Sequence, residues 1–98
     1  MSKLTVVATV VAKTDSVQDV KNALLKLIEP TRKEAGCIEY NLHQDNEDPA
    51  VFIFYETWES FACLEKHLSS DHFKSYVDAA GCLIANKVVH KMTQIEGK

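Results

Sequence analysis

The most regular pattern in this 98-residue chain is the alternation of small and β-branched residues over residues 3–13, which predicts a β-strand. One face of that strand has Leu4, Val6, Ala8, Val10 and Ala12. The opposite face has Thr5, Val7, Thr9 and Val11. Because neither face is charged, we expect helices to cover one side of the strand and a further apolar surface to cover the other.

Apolar residues at helical spacing follow the strand. The buried stripe of this helix would be Val17, Val20, Leu24, Leu27 and Ile28. Either Asp15 or Ser16 can cap its start. Pro30 has no backbone N–H, so the helix must kink or end near Glu29, and any further turn must stop at Gly36.

Two β-rich segments, about Cys37–Gln44 and Val51–Glu59, flank a polar loop and predict an antiparallel hairpin. Ser60 can cap a short helix after the hairpin, with an inward stripe of Phe61, Leu64 and Leu68. Asp71 can cap a second short helix, with inward residues Phe73, Tyr76, Val77 and Ala80. Residues 83–95 then return to a strand pattern.

The resulting order, βαββ(αα)β, is typical of an α+β ferredoxin-like fold with a four-stranded antiparallel sheet, and we expect residues 1–98 to form one domain of this kind. Helices in such a fold cover one face of the sheet and leave the other bare. The bare face would include Val7 and Val11, with Val89 as a further candidate. Exposed apolar patches of this kind usually bind a partner.

Composition narrows the class of protein. The net charge is −3 and the eleven lysine and arginine residues are scattered, so no surface for nucleic acid is expected. No apolar run reaches the roughly 20 residues of a membrane span, and the start of the chain does not resemble a signal peptide, so we expect a cytoplasmic protein without membrane contact. Cys37, Cys63 and Cys82 have no paired spacing and are expected to be small buried hydrophobic residues.

A few residues could contribute chemistry. His67 lies at the border of an apolar helical stripe, where its imidazole could accept a proton or could simply be structural. Trp58, Glu56 and Phe54 share one strand face, and Trp58 could line a site for a flat aromatic molecule or could close the core. The sequence offers only a weak metal-site pattern, formed by Cys63, His67 and His72, so no metal and no other cofactor are expected.

Several short motifs together resemble the antibiotic-biosynthesis-monooxygenase family, and within it the small quinol monooxygenases. They are Gly36-Cys37, Glu56-Thr57-Trp58-Glu59-Ser60, His67-Leu68 and His72, and the looser resemblance spans residues 3–95. The resemblance implies a homodimer whose sheets pack face to face, and a cofactor-free monooxygenase that oxidises a quinol or polyhydroxylated aromatic with dioxygen. It assigns His67 as the base, Trp58 and Phe54 as aromatic walls, and His72 and Tyr76 as polar groups of the pocket.

Other functions within the same family remain open. Haem-degrading members have an asparagine and a histidine where this chain has Ala8 and Val77, so haem degradation is not expected. Isomerisation or processing of a small phosphorylated signal molecule is a second possibility, although Arg32 is the only arginine that could clamp a phosphate. A non-catalytic, ligand-binding stress-response dimer is a third.

Overall fold

The computed structural model describes residues 3–96, which form one four-stranded sheet with three helices. The strands are β1 (Leu4–Ala12), β2 (Cys37–Gln44), β3 (Val51–Trp58) and β4 (Ile84–Met92). The helices are α1 (Val17–Arg32), α2 (Phe61–Leu68) and α3 (Asp71–Ala80), and a 3₁₀ turn (Gly81–Leu83) joins α3 to β4. This order confirms the predicted βαββ(αα)β arrangement.

The sheet has the strand order β2-β3-β1-β4, and every neighbouring pair is antiparallel. The hairpin of β2 and β3 is confirmed, and β1 lies at the centre, where Val7 pairs with Tyr55 on one side and His90 on the other. Val6 and Val10 point the other way and pack under α1, in contact with a core that includes Val20 and Leu24. The ferredoxin-like fold is therefore confirmed.

The first helix does not end at Glu29. It passes through Pro30 and continues to Arg32, after which the amides of Lys33 and Glu34 bond to the third residue before each. A proline in the last turn removes only one hydrogen bond, so the helix can continue past it. Gly36 follows with φ +86°, the left-handed conformation that glycine tolerates best.

Of the two short helices, one has the predicted cap and the other is capped one residue earlier than predicted. Ser60 caps α2, where its Oγ accepts from the amide of Cys63 at 3.3 Å, as predicted. The cap of α3 is Ser70 instead of Asp71, since the Ser70 Oγ accepts from the amide of Phe73 at 3.3 Å. The same hydroxyl donates to the carbonyl of His67 at 2.6 Å, so it also ties α3 to the end of α2.

Three residues assigned to the buried stripes are exposed. Phe61 and Leu68 are 51% and 45% exposed, and only Leu64 of the α2 stripe is buried. Val77 is 45% exposed, because it lies one residue past the buried Tyr76 and therefore about 100° further round the helix. Leu68 and Phe61 lie near the edge strand β4 instead, where the Lys91 Nζ is 5.5 Å from the centre of the Phe61 ring.

The face of the sheet opposite the helices has several exposed apolar side chains, as the alternation in β1 predicted, among polar ones such as His90 and Asn41. Tyr55, Val88 and Met92 are each between 40% and 44% exposed there, beside the half-buried Val7. Val89 does not belong to this face. It pairs with Ala8, so its side chain lies on the helix side of the sheet.

The cysteines are less buried than predicted. Cys82 is exposed and Cys37 and Cys63 are half-buried, and all three are free thiols. Burial raises the pKa of Cys37 to about 11, with the nearby charge of Glu34 adding to the rise. Among the described helices, none is both long enough and apolar enough to cross a membrane.

Candidate functional site

A cavity of about 340 Å³ lies between the sheet and the helices. Its walls are mostly apolar and include Val6, Val10, Phe54, Leu64, Phe73 and Tyr76. Pockets for small molecules in proteins range from roughly 300 to 1,000 Å³. The cavity is therefore of a size to hold one small ligand, and its polar groups are few enough to consider individually.

His67 is the imidazole of this cavity. It lies in the last turn of α2, is 2% exposed, and is packed among aromatic rings, with ring centres 5.0 Å from Trp58 and 5.2 Å from Phe73. Its Nδ1 is 2.8 Å from the Oε2 of Glu34. Burial lowers the pKa of His67, and the hydrogen bond and charge of Glu34 oppose that effect. A neutral imidazole facing an apolar cavity is able to accept a proton.

Glu34 was not singled out from the sequence, yet it connects two of the predicted site residues. Its Oε2 contacts His67 on α2 and also lies 2.5 Å from the Nε2 of His72 on α3. The side chains of Glu34 and His72 are 15% and 24% exposed. No pattern in the sequence could have indicated Glu34, because it follows α1 without belonging to any periodic stripe, and its partners are 33 and 38 residues away.

Within residues 3–96, Glu34, His67 and His72 are also the group whose donor atoms could together hold a metal ion. These atoms all lie within 4.8 Å of one another. The sequence had suggested Cys63 as the third member of such a group. Instead the Cys63 Sγ is 3.4 Å from the Oγ of Ser60, the capping residue of its own helix. Glu34 takes the place that had been given to Cys63.

Glu56 is the second titratable group on the cavity wall. It lies on β3, is 4% exposed, and its Oε1 accepts a hydrogen bond of 2.8 Å from the indole Nε1 of Trp58. Burial raises the pKa of Glu56 to about 7; the hydrogen bond from Trp58 opposes the rise, and the charge of Glu34 adds to it. A carboxyl with such a pKa exchanges its proton readily near neutral pH.

The structure brings some of the predicted site residues together and separates others. His67, Phe54 and Tyr76 line the cavity. Trp58 is fully buried and is not among the lining residues; it lies behind Glu56 and beside the ring of His67. His72 lines a neighbouring surface groove, with Tyr76 between the two spaces.

Two lysines on the edge strand β4 were not predicted from the sequence to be cavity residues. Lys87 and Lys91 pair with Val10 and Val6 of β1, so they lie on the helix side of the sheet and line the cavity at its exposed end. Strand register determines this position, and the sequence alone did not fix the register of β4. Both lysines give the open end of an otherwise apolar cavity a positive charge.

The sequence profile of the family described as antibiotic biosynthesis monooxygenase matches residues 3–79. The chain is 34% identical over 68 residues to “Uncharacterized protein sll1783” of Synechocystis sp. strain PCC 6803, a match that covers 69% of this chain and 46% of that protein. The chain thus spans about half the length of that curated relative. It is 33% identical over 70 residues to “Probable quinol monooxygenase YgiN” of Escherichia coli K12, which covers 63% of this chain and 67% of that protein.

Among solved structures, that of PA3566 from Pseudomonas aeruginosa has a TM-score of 0.94 to this chain at 31% identity. The match covers 98% of this chain and 97% of that one, so the likeness includes every strand and helix described above. Together with the family match over most of its length, it shows that the chain belongs to the antibiotic biosynthesis monooxygenase family.

Proposed function

We propose that this protein is a cofactor-free monooxygenase that oxidises a quinol or a similar polyhydroxylated aromatic with dioxygen. The observation that carries the proposal is the buried imidazole of His67, which lies on the wall of a small apolar cavity with its Nδ1 2.8 Å from the Oε2 of Glu34. The similarity to a protein named as a probable quinol monooxygenase supports the choice of substrate class.

The protein's part in this reaction is to bind the substrate, exclude water and accept protons. A hydroxyl of the quinol gives its proton to the Nε2 of His67, and the resulting anion is electron-rich enough to reduce dioxygen directly. Glu56, with its pKa of about 7, is available on the same wall for the second hydroxyl proton. Phe54 and Tyr76 provide aromatic surface for the ring, while Trp58 supports Glu56 and His67 from behind.

The reaction balances without a cofactor. One oxygen atom of dioxygen enters the ring, the other leaves as water, and the quinol supplies the electrons as it becomes a hydroxyquinone. Both protons removed from the quinol hydroxyls end in the water. The chain's residues therefore only hold and transfer protons.

The same proposal includes a homodimer and a cytoplasmic location. The bare sheet face, with Tyr55, Val88 and Met92 each more than a third exposed, is apolar enough to be covered by a second copy. Three free thiols suit a reducing compartment.

A second candidate function is the processing of a small phosphorylated molecule, and one observation favours it. Lys87 and Lys91 line the cavity and could bind an anion, whereas Arg32 is occupied on β2, where it donates to the carbonyl of Tyr40 and the side chain of Asn41. A lysine pair binds phosphate as point charges, without the bidentate geometry of arginine. A ligand-binding dimer without catalysis would use the same cavity.

Oxygen consumption measured over a panel of quinols, phenols and phosphosugars separates these functions. We expect quinols to consume oxygen, and His67→Gln to lower kcat/KM by roughly 10²-fold or more, the usual scale for a general base. Glutamine is chosen because His67 is buried and hydrogen-bonded, and His43→Ala, on the bare side of the sheet, is the control. Turnover of a phosphosugar, or tight binding of quinols without oxygen uptake, would contradict the proposal.

A further inference from the structure

The contacts of Glu34 fix where the protons of two histidines must be. Its Oε2 is 2.8 Å from the Nδ1 of His67 and 2.5 Å from the Nε2 of His72. An ionised carboxylate only accepts hydrogen bonds, so each nitrogen must contribute its own hydrogen. His67 is therefore protonated on Nδ1, and its lone pair lies on Nε2, the nitrogen left to face the cavity.

We propose that Glu34 is a positioning residue that holds His67 in the tautomer and orientation of a base, and that His72 moderates Glu34 by sharing the same carboxylate oxygen. The inference rests on the proposed role of His67 as the base. Neither Glu34 nor His72 lines the cavity, so both act through His67.

Burial makes this arrangement more than a surface contact. The side chain of His67 is 3% exposed and that of Glu34 is 15% exposed, so the carboxylate has lost most of its water. A carboxylate in such surroundings needs hydrogen-bond donors. Among the described residues, the charged partners of its carboxylate are the two imidazoles.

The distances favour hydrogen bonds over a metal ion. Nitrogen and oxygen ligands about 2.0–2.1 Å from a tetrahedral zinc ion are roughly 3.3 Å apart. Both contacts, at 2.8 and 2.5 Å, are shorter than that, and the contact with His67 has the length of a charge-assisted hydrogen bond. An ion would have to push the three side chains apart, which makes metal binding a distinct and measurable outcome.

The two partners act on His67 in opposite directions. The hydrogen bond and charge of Glu34 raise the pKa of His67, while the charge of His72 and, above all, burial lower it. The other titratable groups around the same space are Glu56 and Tyr40 from β3 and β2, Tyr76 from α3, and Lys87 and Lys91 from β4. None of these changes in the variants below, so each variant isolates one partner.

The test begins with the tautomer, which needs no substrate. Long-range ¹H–¹⁵N NMR of the imidazole rings in the intact protein distinguishes Nδ1–H from Nε2–H, and the His67 signals are assigned by their loss in His67→Gln. We expect Nδ1–H in the wild type and in Glu34→Gln, which keeps an acceptor oxygen, and a mixture of both tautomers in Glu34→Ala. Glu65→Ala, an exposed glutamate on α2, is the matched control and should leave the signals unchanged.

The second part follows the pKa of His67 in the same NMR spectra. It should fall in Glu34→Gln, which removes the charge, and rise in His72→Gln, which removes the competing imidazole. With an active substrate, Glu34→Ala should lower kcat/KM by roughly 10- to 100-fold, the scale found when a group that orients a functional histidine is removed.

An Nε2–H tautomer of His67 in the wild type would overturn the inference. The same holds if the tautomer of His67 is unchanged in Glu34→Ala. Binding of one equivalent of Zn²⁺ to the wild type but not to Glu34→Ala would also overturn it, because the three side chains would then be metal ligands. The failure of the proposed function looks different. If the tautomer and pKa changes occur but no quinol consumes oxygen, Glu34 still positions His67, and it is the monooxygenase proposal that is wrong.

Discussion

Glu56 allows a quantitative test of how strongly burial at the cavity disfavours an ionised side chain. In the unfolded chain its pKa is near the ordinary value of 4.5, and burial raises the pKa of Glu56 to about 7 in the folded protein. The folded state thus binds the proton more tightly than the unfolded state. Stability linked to this carboxyl is greatest below pH 4.5, decreases as the pH rises from 4.5 to about 7, and is constant above that.

The size of the effect follows from the difference between the two pKa values. At about 1.4 kcal/mol per pKa unit, a rise from 4.5 to about 7 corresponds to a loss of about 3 kcal/mol in the free energy of unfolding. About 2 to 3 kcal/mol of this loss falls between pH 5 and pH 8.5. Because Glu56 is only 4% exposed, solvent screening does not reduce the figure much.

The assay compares urea unfolding of the wild type and Glu56→Gln from pH 5 to pH 8.5 at one protein concentration. Glutamine keeps an oxygen that accepts the hydrogen bond from Trp58 but cannot titrate. We expect Glu56→Gln to gain about 2 to 3 kcal/mol over the wild type across this range. Glu47→Gln, an exposed glutamate in the loop between β2 and β3, should follow the wild type at every pH.

Subtraction of the two curves removes the titration of groups that both proteins share, including His67. Parallel curves for the wild type and Glu56→Gln, within about 0.5 kcal/mol, would refute the reasoning, because they would mean that Glu56 is no harder to ionise in the folded protein than in the unfolded chain. A wild type that gains stability relative to Glu56→Gln as the pH rises would mean that a cation pairs with the carboxylate.

Two further predictions concern the fold and the assembly. Gly36→Ala should lower the free energy of unfolding by about 3 kcal/mol, because a Cβ there would clash with the Sγ of Cys63 and because φ is +86°. The measurement is urea unfolding, and an unchanged urea midpoint would contradict this prediction. Val88→Glu, on the bare sheet face, should convert the proposed dimer to monomers in sedimentation, whereas Leu25→Glu on the outer side of α1 should not; a wild type that sediments as a monomer would refute the proposed interface.

The sequence predicted the elements better than their mutual placement. Alternation in β1 correctly separated Val6 and Val10, which face the helices, from Val7, which faces away. The register of β4 was not accessible in this way, because residues 84–92 do not alternate cleanly. Val89 was therefore assigned to the wrong face, and Lys87 and Lys91 were not recognised as cavity residues.

Local rules also failed where tertiary contacts decide the outcome. A proline near the end of α1 suggested a kink or an earlier stop, but the helix continues to Arg32. Glu34 lies just beyond that point and meets two histidines from distant parts of the chain. Its role depends on how α1, α2 and α3 pack together, and no local pattern records that packing.

Burial has opposite consequences for the two titratable groups that matter most, and the difference explains how the cavity could work. It lowers the pKa of His67, a base that is positive when protonated, and raises the pKa of Glu56, an acid that is negative when ionised. Near neutral pH both groups therefore favour or approach their uncharged forms, and an apolar wall is preserved for a neutral quinol. Glu56, with a pKa of about 7, can still exchange a proton at small free-energy cost, since a group is most effective in proton transfer when its pKa is close to the working pH. On the proposed mechanism, loss of a proton from the quinol leaves a positive charge on His67, which Glu34 stabilises, and a negative charge on the substrate, which faces Lys87 and Lys91. The charge needed for oxidation therefore arises only after the ligand is bound.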